Sequence, residues 1–568
     1  MKPKLFISLF LAISLHLPMM AQASAVLEEA LFNEDSVKII EVLKKEQSIP
    51  ETIEDGYTGQ KVSFLIWAAK NEMESLVKYL VERGLDPNVA DENGWTPLIY
   101  ASHQDNVSLV KFLLAKGAIT DPKMECGCTA LIAAAENKNV EMINALLSKG
   151  ADPNFPNKNG KTPLMASSQA NDLAAVKLFV EKGVNINQQA KDGYSALLFA
   201  AANGNQEMVE FLLNKGAEIH AKVASGHTIL HLAIMGGNLN LVKFLVQKGV
   251  DPESKTNDGI TTLMIAVSKG NLEIAQYLLE RGIHPDQLTY NGTYYISPML
   301  VALETKNNEI VKLLLKHHVS PFVTQAQQDE KISSLKYAVN KGSAEILRTL
   351  LNDPVHRQSE SLEALLDLAI ENDYLSISIL LLEAGADPSK KATIESALKS
   401  EKFEFVKLLL EYGAPPQDSW EKAFNSGHVD IIKAYVEKGV DLNQQDTAGH
   451  SSLMLAINQG NLDLVKYLLG QKINLNAQTV AGDTALHYAI LKGDSQLTRM
   501  LLNKKINVDL TGHQGKTALI NAVQLQQLEN VKLLLQAGAN SLIKDQNGKS
   551  ALDYALEAKH SGLIELLK

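Results

Sequence analysis

The sequence predicts an all-α solenoid carrying short β-hairpin fingers, built from about 17 copies of one helix–turn–helix unit with degenerate caps. Three observations predict it. Glycines recur every 33 residues, at Gly94, Gly127, Gly160, Gly193, Gly226 and Gly259, and the spacing returns at Gly449, Gly482, Gly515 and Gly548. Each period contains one helix-start signal and one helix-stop signal in fixed places. The apolar anchors of the first helix, from Leu27 to Leu552, also run through nearly the whole chain, which leaves no room for a second folded domain.

The elements follow in chain order. Lys2 and Lys4 precede the apolar run Leu5 to Leu17, and Ala21-Gln22-Ala23 follows. A basic start, a short apolar core and an A-x-A site predict a secretory signal peptide over residues 1–23. The run is too short for a bilayer, which takes roughly 20 residues, and no later stretch spans one, so no stable membrane insertion is expected. Residues 24–60 read as an N-terminal capping repeat and a long loop.

Regular repeats are predicted over 61–291. In each, Thr96, Thr162 or Thr228 stands where a side-chain oxygen can accept from a first-turn N–H. Pro97 and Pro163 take the first helical position, where a missing N–H does no harm. Leu98 and Ala101 start one apolar face, and "NVSLVKFLLAKG" gives a second amphipathic helix. Gly84, Gly117, Gly150, Gly183, Gly216 and Gly249 end the second helices in the left-handed position, each after a lysine or arginine suited to a helix C-terminus. Residues 292–439 read as irregular repeats, because two periods stretch and two others shrink below the length of a hairpin. Regular repeats and a C-terminal cap are predicted over 440–568.

This unit resembles the ankyrin repeat, with its G-x-T-P-L start and its Leu-Leu followed by a terminal glycine. The resemblance implies a protein-binding scaffold that uses fingers and first helices, on the concave side. In family terms the exchangeable positions are those flanking the finger glycine and those five and six after the anchor. Here they are Trp95, Cys128, Tyr194, His227, Ile260, Tyr294, Tyr295, His103 and Met235, with an aromatic row suited to interface anchors. The alternative reading of Trp95 and Tyr194 is that they cover neighbouring fingers.

Other chemistry is weaker. With 54 Lys and Arg against 65 Asp and Glu, and a formal net charge of −11, the chain lacks the basic balance of a nucleic-acid binder. The Lys78, Lys111, Lys177 and Lys243 stripe reads as a solvated helix face. No nucleophile–base set, metal-ligand spacing or phosphate loop is present, so neither enzyme activity, metal nor cofactor is expected. Cys126 and Cys128, the chain's two cysteines, flank Gly127 on a finger and read as ordinary finger residues. The expectation is an exported, monomeric, non-enzymatic protein that binds another protein. It would act in the bacterial periplasm as an inhibitor or immunity-type protein, or alternatively as a secreted effector engaging host proteins.

Overall fold

The computed structural model describes residues 27–568, except residues 28, 46–48, 55–60, 123–126, 291–294 and 325–330. The predicted signal peptide, Cys126 and Tyr294 lie outside the described residues, as do the side chains of Tyr290 and Tyr295. The chain divides into two compact units, Met1–Ile332 and Ser333–Lys568.

In the first unit, short first helices alternate with longer second helices. The first helices include Pro97–His103, Ala130–Glu136, Pro163–Gln169, Ala196–Ala202, Ile229–Met235, Thr262–Ser268 and Pro298–Glu304. The second helices include Val107–Ala115, Leu173–Glu181, Leu239–Gln247 and Leu272–Glu280. Thr129, Thr162, Ser195, Thr228, Thr261 and Ser297 each cap the first helix with a side-chain oxygen that accepts an N–H three residues on. Thr96 departs from the expectation: its hydroxyl makes no cap bond and is buried without a partner among the described residues. The predicted anchors from Leu65 to Leu519 are buried, while Leu552 in the last repeat is half-exposed.

The fingers are mostly turns and not hairpins. Single bridges join Lys222 to Thr228 and Lys255 to Thr261. True two-stranded pairs occur where the sequence suggested a loop or an irregular finger, at Thr52–Glu54 with Lys61–Ser63 and at Thr289–Tyr290 with Tyr295–Ile296. The register glycines explain themselves at Gly193. Its φ is +84°, and a Cβ there would lie 2.7 Å from the backbone nitrogen of Ala224 in the next finger. One finger's backbone therefore rests directly on the next, and Ala224 N–H donates to Asp192 O at 2.7 Å.

Three ladders join consecutive repeats. In several repeats the residue after the first helix reaches back to cap the preceding one: Asn137 Nδ2 donates to Ser102 O at 2.9 Å, and Asn203 Nδ2 to Ser168 O at 2.9 Å. At the finger bases, Asn154 and Asn187 side-chain oxygens accept from the backbone N–H of Asn185 and Glu218. On the second helices, the solvent-facing basic stripe bridges sideways to the next repeat. Lys111 pairs with Glu141 at 2.5 Å, and Lys177 lies 5.8 Å from the centre of the Phe211 ring.

The second unit repeats the plan from Ser334–Asn340 to Ala551–Glu557, with second helices such as Leu462–Leu469 and Leu528–Gln536. It has an additional short helix, Pro354–Arg357, where the buried His356 bonds to Asp353 at 2.8 Å. Around Lys391–Lys399 no finger strand or bridge forms among the described residues, as the short periods required. Ion pairs take over there: Lys390 with Asp367 at 2.6 Å, and Lys422 with Glu395. Lys402 replaces the capping asparagine, its ammonium donating to Ile370 O at 2.6 Å and Glu371 O at 2.9 Å.

Candidate functional site

The residue after each finger glycine sits at the start of the first helix, and the chain's return from the finger lays its side chain along that helix. Trp95 shows the consequence. Its ring stacks on His103 at 4.7 Å and tilts over Tyr100 at 5.1 Å. Its backbone N–H donates to Asp91, and so does the Tyr100 hydroxyl, at 2.8 Å each. Burial, offset by the charge of Glu136, lowers the His103 pKa below its ordinary value. Three repeats further on, Tyr194 stacks on Phe199 at 4.6 Å. Trp95, Cys128, Tyr194, His227 and Ile260 are all half-buried. Trp95, Tyr194 and His227 cover their own first helices, so they are not protruding tips.

The same positions behave differently in the repeats around Ile260. Counting repeats along, Ile260, Ile265 and Ser268 occupy the places that Trp95, Tyr100 and His103 fill with three rings. The smaller side chains leave the space open. A groove of roughly 350 Å³ results, lined by Met235, Ile260, Ile265, Leu300 and Val301, with Glu304 and Lys269 at its rim. Met235 is 42% exposed there. Ile260 and Val301 are half-buried, while Met264, Ile265 and Leu300 are buried beneath them.

His227 closes the finger end of the groove. Its Nδ1 lies 2.8 Å from the Ser225 hydroxyl, and its ring meets His231 edge-on at 5.7 Å. Burial holds its pKa below the ordinary value, against the charge of Asp258. His231 behind it is capped into the helix: Thr228 N–H donates to His231 Nδ1 at 3.1 Å. The proton must therefore sit on the buried Nε2.

Of the residues singled out in sequence, the groove unites His227, Met235 and Ile260. Trp95, His103, Cys128 and Tyr194 occupy equivalent positions in other repeats but do not line it. Sequence reasoning passed over Met264, Ile265, Leu300, Val301 and Lys269. A signal for them existed. Ile265 and Val301 are β-branched residues two after their anchors, in consecutive repeats of which the first also has Ile260 in place of an aromatic after the glycine.

Among the described residues, no group of three or more His, Cys, Asp and Glu side chains could hold a metal ion, and no helix is long and apolar enough to cross a membrane. A family model described as ankyrin repeats, three copies, matches residues 65–157, 147–223, 219–289, 298–392, 419–512 and 505–568. No curated protein matches the chain.

Proposed function

This chain belongs to the ankyrin repeat family, and from that premise we propose that it is a non-enzymatic scaffold holding a protein partner in the groove between His227 and Thr305. Ankyrin repeats imply a protein-interaction role. One observation supports the finer placement: an apolar trough crosses three repeats where a Trp–Tyr–His stack has given way to Ile260, Ile265 and Ser268. Such a trough suits a large apolar side chain of the partner, with two methionines able to adapt to its shape. Charges of both signs at the rim, Lys269 and Glu304, would set its orientation. The remaining aromatics, Trp95 and Tyr194, would extend the contact along the same face.

The basic start, apolar run and A-x-A site of residues 1–23 support action outside the cytoplasm, in the periplasm, as an inhibitor or immunity-type partner of another protein. The experiment is a pulldown with the mature chain and with Ser268→Tyr and Val301→Arg, followed by cell fractionation for location. Ser268 is exposed, so tyrosine there should fill the groove without disturbing the core. A partner captured by the wild type and lost with both variants supports the reading. A partner that both variants still capture removes the groove from it.

A further inference from the structure

In the second unit, the finger of residues 441–451 lies beside the finger of residues 474–484, and Val480 N–H donates to Ala448 O at 3.0 Å. Val480 itself is 85% exposed, more than any other large hydrophobic among the described residues. It stands on a trough of roughly 440 Å³ lined by Ala448, His450, Val480, Ala481, Asp483 and Tyr488. The Tyr488 ring meets the His450 ring edge-on at 5.7 Å, which leaves an aromatic surface between the fingers.

One carboxylate, Asp483, lines this trough, and a second, Asp446, lies in the neighbouring finger and holds His450 in place. Asp446 accepts N–H bonds from Ala448 at 2.9 Å and His450 at 2.7 Å, and its other oxygen lies 2.7 Å from His450 Nδ1. Asp483 accepts from His513 N–H at 2.9 Å. Burial works against ionisation of Asp446, yet the bonds from His450 prevail and hold its pKa below the usual carboxylate value. Neither finger contains a lysine or arginine, although Asp441, Asp446 and Asp483 all lie in them.

We infer that this trough docks a basic segment of a protein partner, with an arginine or lysine side chain lying between the two fingers. The stem of such a side chain covers Val480 and Ala481, as long cationic side chains do on apolar surface. Its charged head reaches the Tyr488 face and the Asp483 carboxylate, combining a cation–π contact with charge attraction. The formal net charge of −11 favours the approach of such a partner. An acidic segment would meet Asp483 with no lysine or arginine in either finger to offset it, and a neutral one would leave it unused.

The test uses the full chain and three blocked, fluorescein-labelled peptides of equal length, whose central residues are arginine, leucine or glutamate, read by fluorescence anisotropy at low salt. Val480 is so exposed that its replacement leaves the fold alone, and it allows changes of both signs. Val480→Glu is expected to tighten arginine-peptide binding about three- to fivefold, and Val480→Lys to weaken it as much, the range of an exposed ion pair. Tyr488→Leu should weaken it as well. Leu542→Glu, a control on a different finger at 79% exposure, should change nothing. The inference is overturned if the arginine peptide does not bind, or if the leucine or glutamate peptide binds as well as it does. It is equally overturned if Leu542→Glu matches Val480→Glu, because binding would then follow net charge alone.

Discussion

His231 is fully buried, and its proton has one place to go. Burial, then the neighbouring His227, push its pKa down to about 4, against the backbone carbonyls of Ile260 and Ser254, which favour the protonated ring. An unfolded chain would titrate the same ring near 6.5, so between these values the unfolded state binds the extra proton. The contribution is fully present above pH ~6.5 and is lost as pH falls toward 4, about 2 kcal/mol of it by pH 5. His487 shifts in the same direction, chiefly by burial. Urea unfolding at pH 7.5 and pH 5.0 should show a lower midpoint in acid, and His231→Gln should flatten the difference. An unchanged wild-type midpoint would mean that the ring is not neutral in the fold.

Asn530 makes a second residue-scale case. It is 1% exposed on Leu528–Gln536, where the equivalent position in the preceding repeats carries Leu464 and Leu497. Its Nδ2 donates to Gln527, but its Oδ1 has no partner among the described residues. Burying an unpaired polar atom costs about 1–3 kcal/mol in mutational terms. Asn530→Leu should therefore raise stability, by about 1 kcal/mol or more. A loss instead would reveal a bonded partner for that oxygen.

At the scale of elements, the joints between repeats matter more than the helices, which are too short to persist alone. Asn203 caps the preceding first helix by donating to both Ser168 O and Gln169 O, at 2.9 and 3.1 Å. Asn203→Ala should cost about 1 kcal/mol and weaken hydrogen-exchange protection in Pro163–Gln169 as much as in its own helix. An effect confined to residues 196–202 would show that the cap does not couple the repeats. These joints also mark what was readable in sequence. Periodic glycines, cap residues and apolar anchors are local signals, so the helix pairs and their ends were legible. The backward reach of Asn137 or Lys402, and the sideways pairing of Lys111 with Glu141, were not, because they join residues some 30 positions apart. The basic stripe is the solvated face that the sequence suggested, with the Lys111 side chain 52% exposed beside Glu141. Strands at Thr52–Glu54 and Thr289–Tyr290 were missed because no alternating apolar pattern marks segments so short.

For the whole molecule, a repeat array behaves as units coupled mainly to their neighbours. Leu230 is a fully buried anchor of the first unit, and Leu230→Ala should destabilise its surroundings by about 2–5 kcal/mol. Hydrogen exchange should speed up in the flanking repeats while residues 449–568 stay protected. Uniform loss along the chain would make the array a single cooperative body. The candidate site was half legible on this scale. Family positions pointed to His227, Met235 and Ile260, but a groove is the absence of rings, and that appears only when three repeats are stacked. The measurement that tests the account most directly is titration calorimetry of the captured partner against the wild type, Val301→Arg, Trp95→Ala and Lys243→Ala. Val301→Arg should cost about 2 kcal/mol or more and Trp95→Ala less, while Lys243→Ala, on a second helix over Tyr277, should cost almost nothing. If Lys243→Ala loses the partner and Val301→Arg keeps it, binding runs over the second helices, and the groove is not the site.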